Sequence, residues 1–248
     1  MCAKQEQYLK ERINIPGRKT IDEVFDKRTL SLLYRLMTKD VIDILDYPIS
    51  TGKEAKVFKA LDREGRKLAV KIMRTSTAPF KEYRRYIEGD HRFKNIGSGK
   101  QLVFTWTKKE FSNLKKMYEK DVTVPRPVHC TKNILIMELV EFEGYPAPML
   151  RDYIFAKEEA EDIMEHVMDD MYKLMNDAEL VHGDLSEYNI LMSDDGVPYI
   201  IDVSQAVPSD HPIADELIDR DIKNIVKYFN GLGLDIDKDE VKERLEIA

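Results

Sequence analysis

Cysteine is almost missing from this chain: Cys2 and Cys130 are the only two in 248 residues. Two such thiols support no disulfide framework, and the expected setting is a reducing one, the cytoplasm. Long apolar runs are missing too. No stretch approaches the eighteen or more apolar residues of a membrane span, so no membrane partner is expected. Met1 to Arg12 is polar and lacks the apolar heart of a signal peptide. There is no internal repeat and no low-complexity stretch. What remains, with 43% hydrophobic residues, is enough to bury one substantial core or two lobes.

Charge is present but uneven. A net of −7 conceals a local +6 over residues 81–120, where eleven Lys/Arg meet five Asp/Glu. Residues 141–196 carry three basic and sixteen acidic side chains, a local −13. A basic block beside a nucleotide site can hold phosphate or RNA, because phosphate contacts need no sequence code; the plain alternative is solvated surface.

The most informative segment is His182-Gly183-Asp184-Leu185-Ser186-Glu187-Tyr188-Asn189, followed thirteen positions later by Asp202. Asp-x4-Asn and a second Asp form the polar kit that moves a phosphoryl group from a metal-bound nucleotide. Ile190-Leu191-Met192 and Pro198-Tyr199-Ile200-Ile201 are apolar runs on either side of Ser193-Asp194-Asp195-Gly196, and Asp-Gly between apolar runs signals a hairpin. With Asp195-Gly196 as a two-residue loop, Asp194 pairs with Val197 and Asn189 lies opposite Asp202. Opposed residues have Cβ atoms about 4.5–5.5 Å apart, close enough for an amide oxygen and a carboxylate to share Mg²⁺ or Mn²⁺. Asp184 then becomes the candidate base. The competing reading is an acidic hairpin with an Asx-type turn before it.

Upstream, Arg28 to Met37 reads as an amphipathic helix, with strands expected over 43–48, 56–60 and 67–73. The loop Ser50-Thr51-Gly52-Lys53-Glu54-Ala55 offers hydroxyls and backbone N–H groups to an anion, and Gly52 permits a close approach. It is not a Walker A, since no helix follows, and a plain hairpin turn is the simpler alternative. Lys71 sits in the apolar strand Leu68 to Ile72, facing with Ala69 and Met73, and a lysine held there needs an anionic partner. Glu110 is the candidate, on a helical segment whose apolar stripe includes Leu114 and Met117. Residues 74–100 lose periodicity and read as a mobile lid. A Pro-punctuated linker over 124–128 precedes a buried strand over 133–140, and the connector it runs into, with Gly144, Pro146 and Pro148, reads as a hinge between lobes. Helices are expected over 157–178, 213–229 and 238–245, with the Met-rich stripe of the first serving as core.

Together these motifs resemble the RIO family of atypical serine/threonine protein kinases. The resemblance rests on Ser50 to Ala55, the Val70-Lys71 pair, Leu180 to Asn189 and Ile201-Asp202-Val203-Ser204-Gln205-Ala206, in that order along the chain. Val24-Phe25-Asp26-Lys27-Arg28-Thr29 is similar to the Rio1 subfamily, in a compact form of archaeal type. The resemblance implies an α+β, bilobal protein-kinase-like fold with an antiparallel sheet in the N-lobe and a mainly helical, truncated C-lobe. The domains expected are a helical extension packed on the N-lobe over 1–45, the N-lobe over 46–140 with a mobile insertion at 75–100, and the C-lobe over 141–248. By the same resemblance Asp184 accepts a proton from the attacking hydroxyl, and Asn189 and Asp202 hold the divalent metal. ATP phosphates meet Ser50, Thr51, Gly52, Lys53 and Lys71, with Glu110 pairing Lys71. Glu138 and Val140 contact adenine. The implied partner is a precursor of the small ribosomal subunit, both protein and rRNA, the latter through segment 81–120.

Departures from ordinary protein kinases are visible. The loop carries one glycine, His-Gly-Asp replaces His-Arg-Asp, and Asp202-Val203-Ser204 stands in place of Asp-Phe-Gly. No Ala-Pro-Glu follows, and 46 residues after Asp202 are too few for the usual peptide-binding helices. An ATP-switched assembly factor with mainly ATPase activity, and an aminoglycoside- or choline-type kinase, are the alternatives.

Overall fold

The computed structural model describes residues 3–14, 21–75, 80–94 and 96–247. The chain divides into two compact units. One comprises Met1–Pro79, Ser98–Lys108 and Val128–Leu139; the other comprises Phe80–Gly97, Lys109–Pro127 and Val140–Ala248. The expected domains were contiguous in sequence, whereas these units interleave, because residues 80–97 and 109–127 pack with the C-terminal half.

In the first unit, α1 (Ala3–Lys10), α2 (Ile21–Val24) and α3 (Lys27–Thr38) precede β1 (Ile44–Thr51), β2 (Ala55–Leu61) and β3 (Lys67–Met73). Asp26 starts α3 by accepting from the N–H groups of Arg28 and Thr29 at 2.9 and 2.8 Å. Leu30, Leu33, Leu36 and Met37 then recur at helical spacing and are all buried. They share one core with Leu9, Leu45, Phe58, Leu68, Val70 and Ile72, so the helical extension packs on the sheet. Each such side chain fully withdrawn from water contributes about 1.5–3 kcal/mol.

The sheet is completed by β4 (Pro127–Thr131) and β5 (Ile134–Glu138), in the order β1-β2-β3-β5-β4. The strands expected at 43–48, 56–60, 67–73 and 133–140 correspond to β1, β2, β3 and β5. β4 overlaps the segment read as linker. Its Pro127 sits at the first residue of an edge strand, where a missing N–H removes no ladder bond.

In the second unit, α4 (Phe80–Ile87) lies inside the stretch read as an aperiodic lid, while residues 76–79 and Asn95 fall outside the described residues. α5 (Lys100–Tyr118) begins in the first unit and continues into the second. Short ribbons follow: β6 (Glu141–Phe142) with β7 (Tyr145–Pro146), β8 (Leu180–Val181) with β11 (Val207–Pro208), and β9 (Ile190–Met192) with β10 (Pro198–Ile200). The helices α6 (Lys157–Tyr172), α7 (Ala214–Gly231) and α8 (Lys238–Arg244) pack around them. α6 buries Ile163, Val167 and Met171, then widens into a π-helical turn, Lys173–Asp177, that buries Leu174 and Met175. That Met-rich stripe is core. Among the described residues, no helix is long and apolar enough to cross a membrane.

Candidate active site

The loop from β8 to β9 is built from below by α7. Asp221 is fully buried, and its two carboxylate oxygens accept from the N–H groups of Gly183 and Leu185 at 2.7 and 2.8 Å. Burial raises its carboxyl above the ordinary range, against the His182 ring and the two N–H donors. Asn224, on the same helix, donates to the Leu185 carbonyl at 3.1 Å. Gly183 has φ +81°, and an added Cβ would lie 3.1 Å from Leu217 Cδ1, so both backbone and space demand glycine. His182 is also fully buried. Its Nε2 faces the Ile201 carbonyl at 3.0 Å and its Nδ1 faces the Asp184 N–H at 3.2 Å. A carbonyl only accepts and an N–H only donates, so this ring carries its proton on Nε2. His182 thereby ties the loop to the strand that leads to Asp202.

Asp184 is half-buried above this platform. Asn189 Nδ2 donates to the Asp184 carbonyl at 2.8 Å and approaches its carboxylate Oδ2 at 3.5 Å. Gln205 Nε2 reaches the same oxygen at 3.5 Å. The amide nitrogen of Asn189 being engaged, its Oδ1 is the atom it can offer to a cation. Asp184 and Asn189 are therefore brought together as expected.

The hairpin register is not as expected. β9 and β10 pair Met192 with Pro198, Leu191 with Tyr199 and Ile190 with Ile200. Continuing that ladder puts Ile201 opposite Asn189, and the Ile201 N–H donates to the Asn189 carbonyl at 2.9 Å. Asp202 falls one residue beyond. The loop has three residues, Asp194-Asp195-Gly196, because Ser193 rather than Asp194 faces Val197, with Ser193 N–H donating to the Val197 carbonyl at 3.1 Å. Gly196 takes the left-handed position at φ +72° that this hairpin type requires. Asp194 instead joins the β6–β7 connector, donating its N–H to the Glu141 carbonyl and accepting from the Glu143 N–H. A one-residue slip turns side chains to the opposite face. At Asp202 the backbone leaves the strand altogether at φ +58°, a costly conformation for a residue with a Cβ. Ser204 Oγ donates to Asp202 Oδ1 at 3.2 Å.

The donor set fits a hard divalent cation: an amide oxygen at Asn189 and the exposed carboxylate of Asp202. Among the described residues no group of three or more His, Cys, Asp or Glu gathers as a metal cage. Two protein ligands suit Mg²⁺, which keeps waters and takes phosphate oxygens.

In the first unit Ser50, Thr51, Gly52 and Lys53 are all exposed at the β1–β2 turn, closed by Gly52 N–H to the Ala55 carbonyl at 2.9 Å. Among the described residues a Cβ on Gly52 would meet only Ala55 O, at 3.5 Å, so packing among them does not demand glycine there. Lys71 is buried in β3 between Val57 and Leu135. Glu138 is exposed at the end of β5. In the second unit Glu110 is buried on α5, and the Val140 carbonyl accepts from Ala147 N–H at 3.0 Å.

Sequence reading missed Asp221, Lys109 and Asn113. Asp221 was detectable as an acid on the apolar stripe of α7, among Leu217, Ile222 and Ile225. Lys109 and Asn113 fill the same kind of position on α5.

A family model described as the RIO domain matches residues 56–242. The RIO-type serine/threonine-protein kinase Rio1 of Haloferax volcanii is 40% identical over 226 residues, covering 91% of this chain and 77% of that protein. Its counterpart in Methanocaldococcus jannaschii is 41% identical over 228 residues, with the same coverage. Human serine/threonine-protein kinase RIO1 is 36% identical, and the match covers 86% of this chain but only 38% of that protein. Among solved structures, the Rio2 kinase of Chaetomium thermophilum in an ADP/Mg²⁺–phosphoaspartate complex has a TM-score of 0.64 at 24% identity. That match covers 87% of this chain and 66% of the Rio2 chain, and it speaks to the fold.

Proposed function

This chain belongs to the RIO family of serine/threonine protein kinases, of the Rio1 type, and from that premise we propose that Asp184 is the base through which it phosphorylates a protein hydroxyl from ATP. The observation that carries the assignment is the Asp184–Asn189 pair, fixed on a platform by Asp221 and His182. Asp184 accepts the proton of the attacking hydroxyl, while Gln205 and Asn189 hold its carboxylate oriented. Asn189 and Asp202 hold a divalent cation, Mg²⁺ or Mn²⁺. The cation supplies neutralisation of the phosphate charge as it develops.

Ser50, Thr51, Gly52, Lys53 and Lys71 receive the phosphates, Glu110 serves Lys71, and Glu138 and Val140 offer backbone groups to adenine.

The proposed setting is maturation of the small ribosomal subunit, in the cytoplasm, with protein and rRNA contacts through segment 81–120. Within that segment Arg85 pairs with Glu216 at 2.6 Å, which removes one cation from RNA contact. A second reading is ATP hydrolysis through a phosphoryl group on Asp202. It is favoured by the exposure of that carboxylate and by the phosphoaspartate named in the Rio2 complex.

Single-turnover assays with γ-labelled ATP, with and without small-subunit precursors, separate these readings. Label on serine or threonine, resistant to hydroxylamine, supports the kinase reading; hydroxylamine-labile label on the chain together with released phosphate supports the second. Label appearing on choline or an aminoglycoside, with none on protein or phosphate, overturns both.

A further inference from the structure

Two side chains on α5 reach across the second unit to the turn that follows Asp202. Lys109 and Asn113 are four residues apart and so share a helix face, and both are fully buried. Lys109 Nζ donates to the Ser204 carbonyl at 3.3 Å and also to the Ala206 carbonyl. Asn113 Nδ2 donates to the Val203 carbonyl at 2.8 Å and the Ala206 carbonyl at 2.9 Å. The carbonyls of Val203, Ser204 and Ala206 thus converge on one face of one helix. The turn closes on itself through Ala206 N–H to the Val203 carbonyl at 3.2 Å. Ser204, inside that turn, holds Asp202 through its hydroxyl.

Burying an ammonium is expensive unless its hydrogens are used. Here Asp90 Oδ2 stands 3.9 Å from Lys109 Nζ, and the same oxygen binds Arg92 at 2.7 Å. The carbonyls after Asp202 are what a neutral leucine at this position could not serve. They also answer a question posed by Asp202 itself, since a left-handed non-glycine residue persists only where its surroundings over-determine it.

We propose that Lys109 and Asn113 are positioning residues for phosphoryl transfer: by clamping the 203–206 turn they hold Asp202 in the backbone conformation that presents its carboxylate to the divalent cation. The inference rests on the reading of Asp202 as a metal ligand and goes beyond it by naming what sets the ligand's orientation.

The test is a titration of turnover with Mg²⁺, and separately Mn²⁺, on the full chain, alongside nucleotide binding measured without metal. In Lys109→Met the half-saturating metal concentration rises about 10–100-fold, the loss usual for residues that orient a ligand. Its metal-free nucleotide affinity stays within about twofold, and its thermal midpoint is read alongside, because loss of a buried charge and loss of the donor to the Ser204 carbonyl act in opposite directions. Lys109→Gln, which retains an amide donor, recovers part of the metal response. Lys238→Met, at an exposed position on α8, behaves as the unmodified chain.

A folded Lys109→Met with unchanged metal half-saturation overturns the inference. So does an equal loss of metal response and metal-free nucleotide binding. Should Lys109→Met fail to fold, Asn113→Ser is judged by the same two criteria. Asp202→Asn, run in parallel, keeps the two levels apart. If it retains the unmodified metal response, the metal assignment itself is wrong; if it loses the response while Lys109→Met does not, only the positioning inference fails.

Discussion

At the scale of single residues, the site is a set of polar groups whose orientation is set by neighbours rather than by their own preferences. Asp184 takes one long approach from Asn189 and one from Gln205 on a single oxygen, and the proposed reaction uses the other for the substrate hydroxyl. Replacing it by Asn keeps the shape and removes the base. Asp184→Asn is expected to lower single-turnover rates by about 10²–10⁴ while calorimetry finds ATP affinity nearly unchanged. An unimpaired rate would sink the assignment.

Lys109 makes a second residue-scale prediction. Burial pushes its ammonium down to about 7, with the Asp90 carboxylate opposing. The folded pKa lies below the unfolded value of 10.5. Stability from this residue is therefore fully present above pH 10.5 and is lost as pH falls through about 7. The full swing is on the order of 5 kcal/mol at 1.36 kcal/mol per pKa unit. In urea melts between pH 6 and 10, the unmodified chain should lose stability relative to Lys109→Met as pH falls, levelling off below about 7. A pH-independent difference between the two proteins would contradict the burial argument.

At the scale of elements, α7 carries the loop from β8 to β9. Its Asp221 satisfies two buried N–H groups that no strand ladder reaches. Asp221→Ala orphans both, at about 1–3 kcal/mol each, and lets Asp184 drift. Denaturation and turnover are expected to fall together, with turnover falling further than the folded fraction explains. Asp221→Asn, which retains one acceptor oxygen, should lie between. If Asp221→Ala keeps normal turnover in its folded fraction, α7 is a support for the fold and not for the loop.

The β9–β10 hairpin shows how little separates two registers. Alternation and the Asp-Gly pair located the hairpin, its strands and its turn. They did not reveal that Asp194 has partners at Glu141 and Glu143, about fifty residues away in sequence, which add it to the loop. The expected direct opposition of Asn189 and Asp202 is therefore replaced by a left-handed residue held from α5. The strands β1, β2, β3 and β5 were legible because period-two apolar patterns are local. α4 was not, because its short run Phe80–Ile87 lies between segments without periodicity.

At the scale of the whole molecule, a nucleotide that binds only the folded chain adds stability by mass action, about 2.7 kcal/mol at a hundredfold excess over Kd. ATP with Mg²⁺ should raise the thermal midpoint more than ATP alone. Asp202→Asn is expected to abolish the metal-dependent increment and keep the metal-free one. Gly52→Ala should leave the ligand-free midpoint close to that of the unmodified chain, since among the described residues the added Cβ meets only Ala55 O at 3.5 Å, and should shrink the ATP increment. An unchanged ATP response in Gly52→Ala would return that loop to a plain turn.

By itself the sequence located the candidate site residues and determined most regular elements, since Asp-x4-Asn, the Val-Lys strand and apolar periodicity are all local in the chain. It also determined the family, because those motifs stand in one order along it. Tertiary structure alone decided where Asp202 stands and what holds it there. Its backbone conformation depends on donors at Lys109 and Asn113, about ninety residues earlier, and on a hairpin loop lengthened by contacts with the 141–143 connector. Contacts of that sequence separation leave no periodicity to read, only a buried lysine, a buried asparagine and an acid on an apolar stripe, each of which needs a partner that folding supplies.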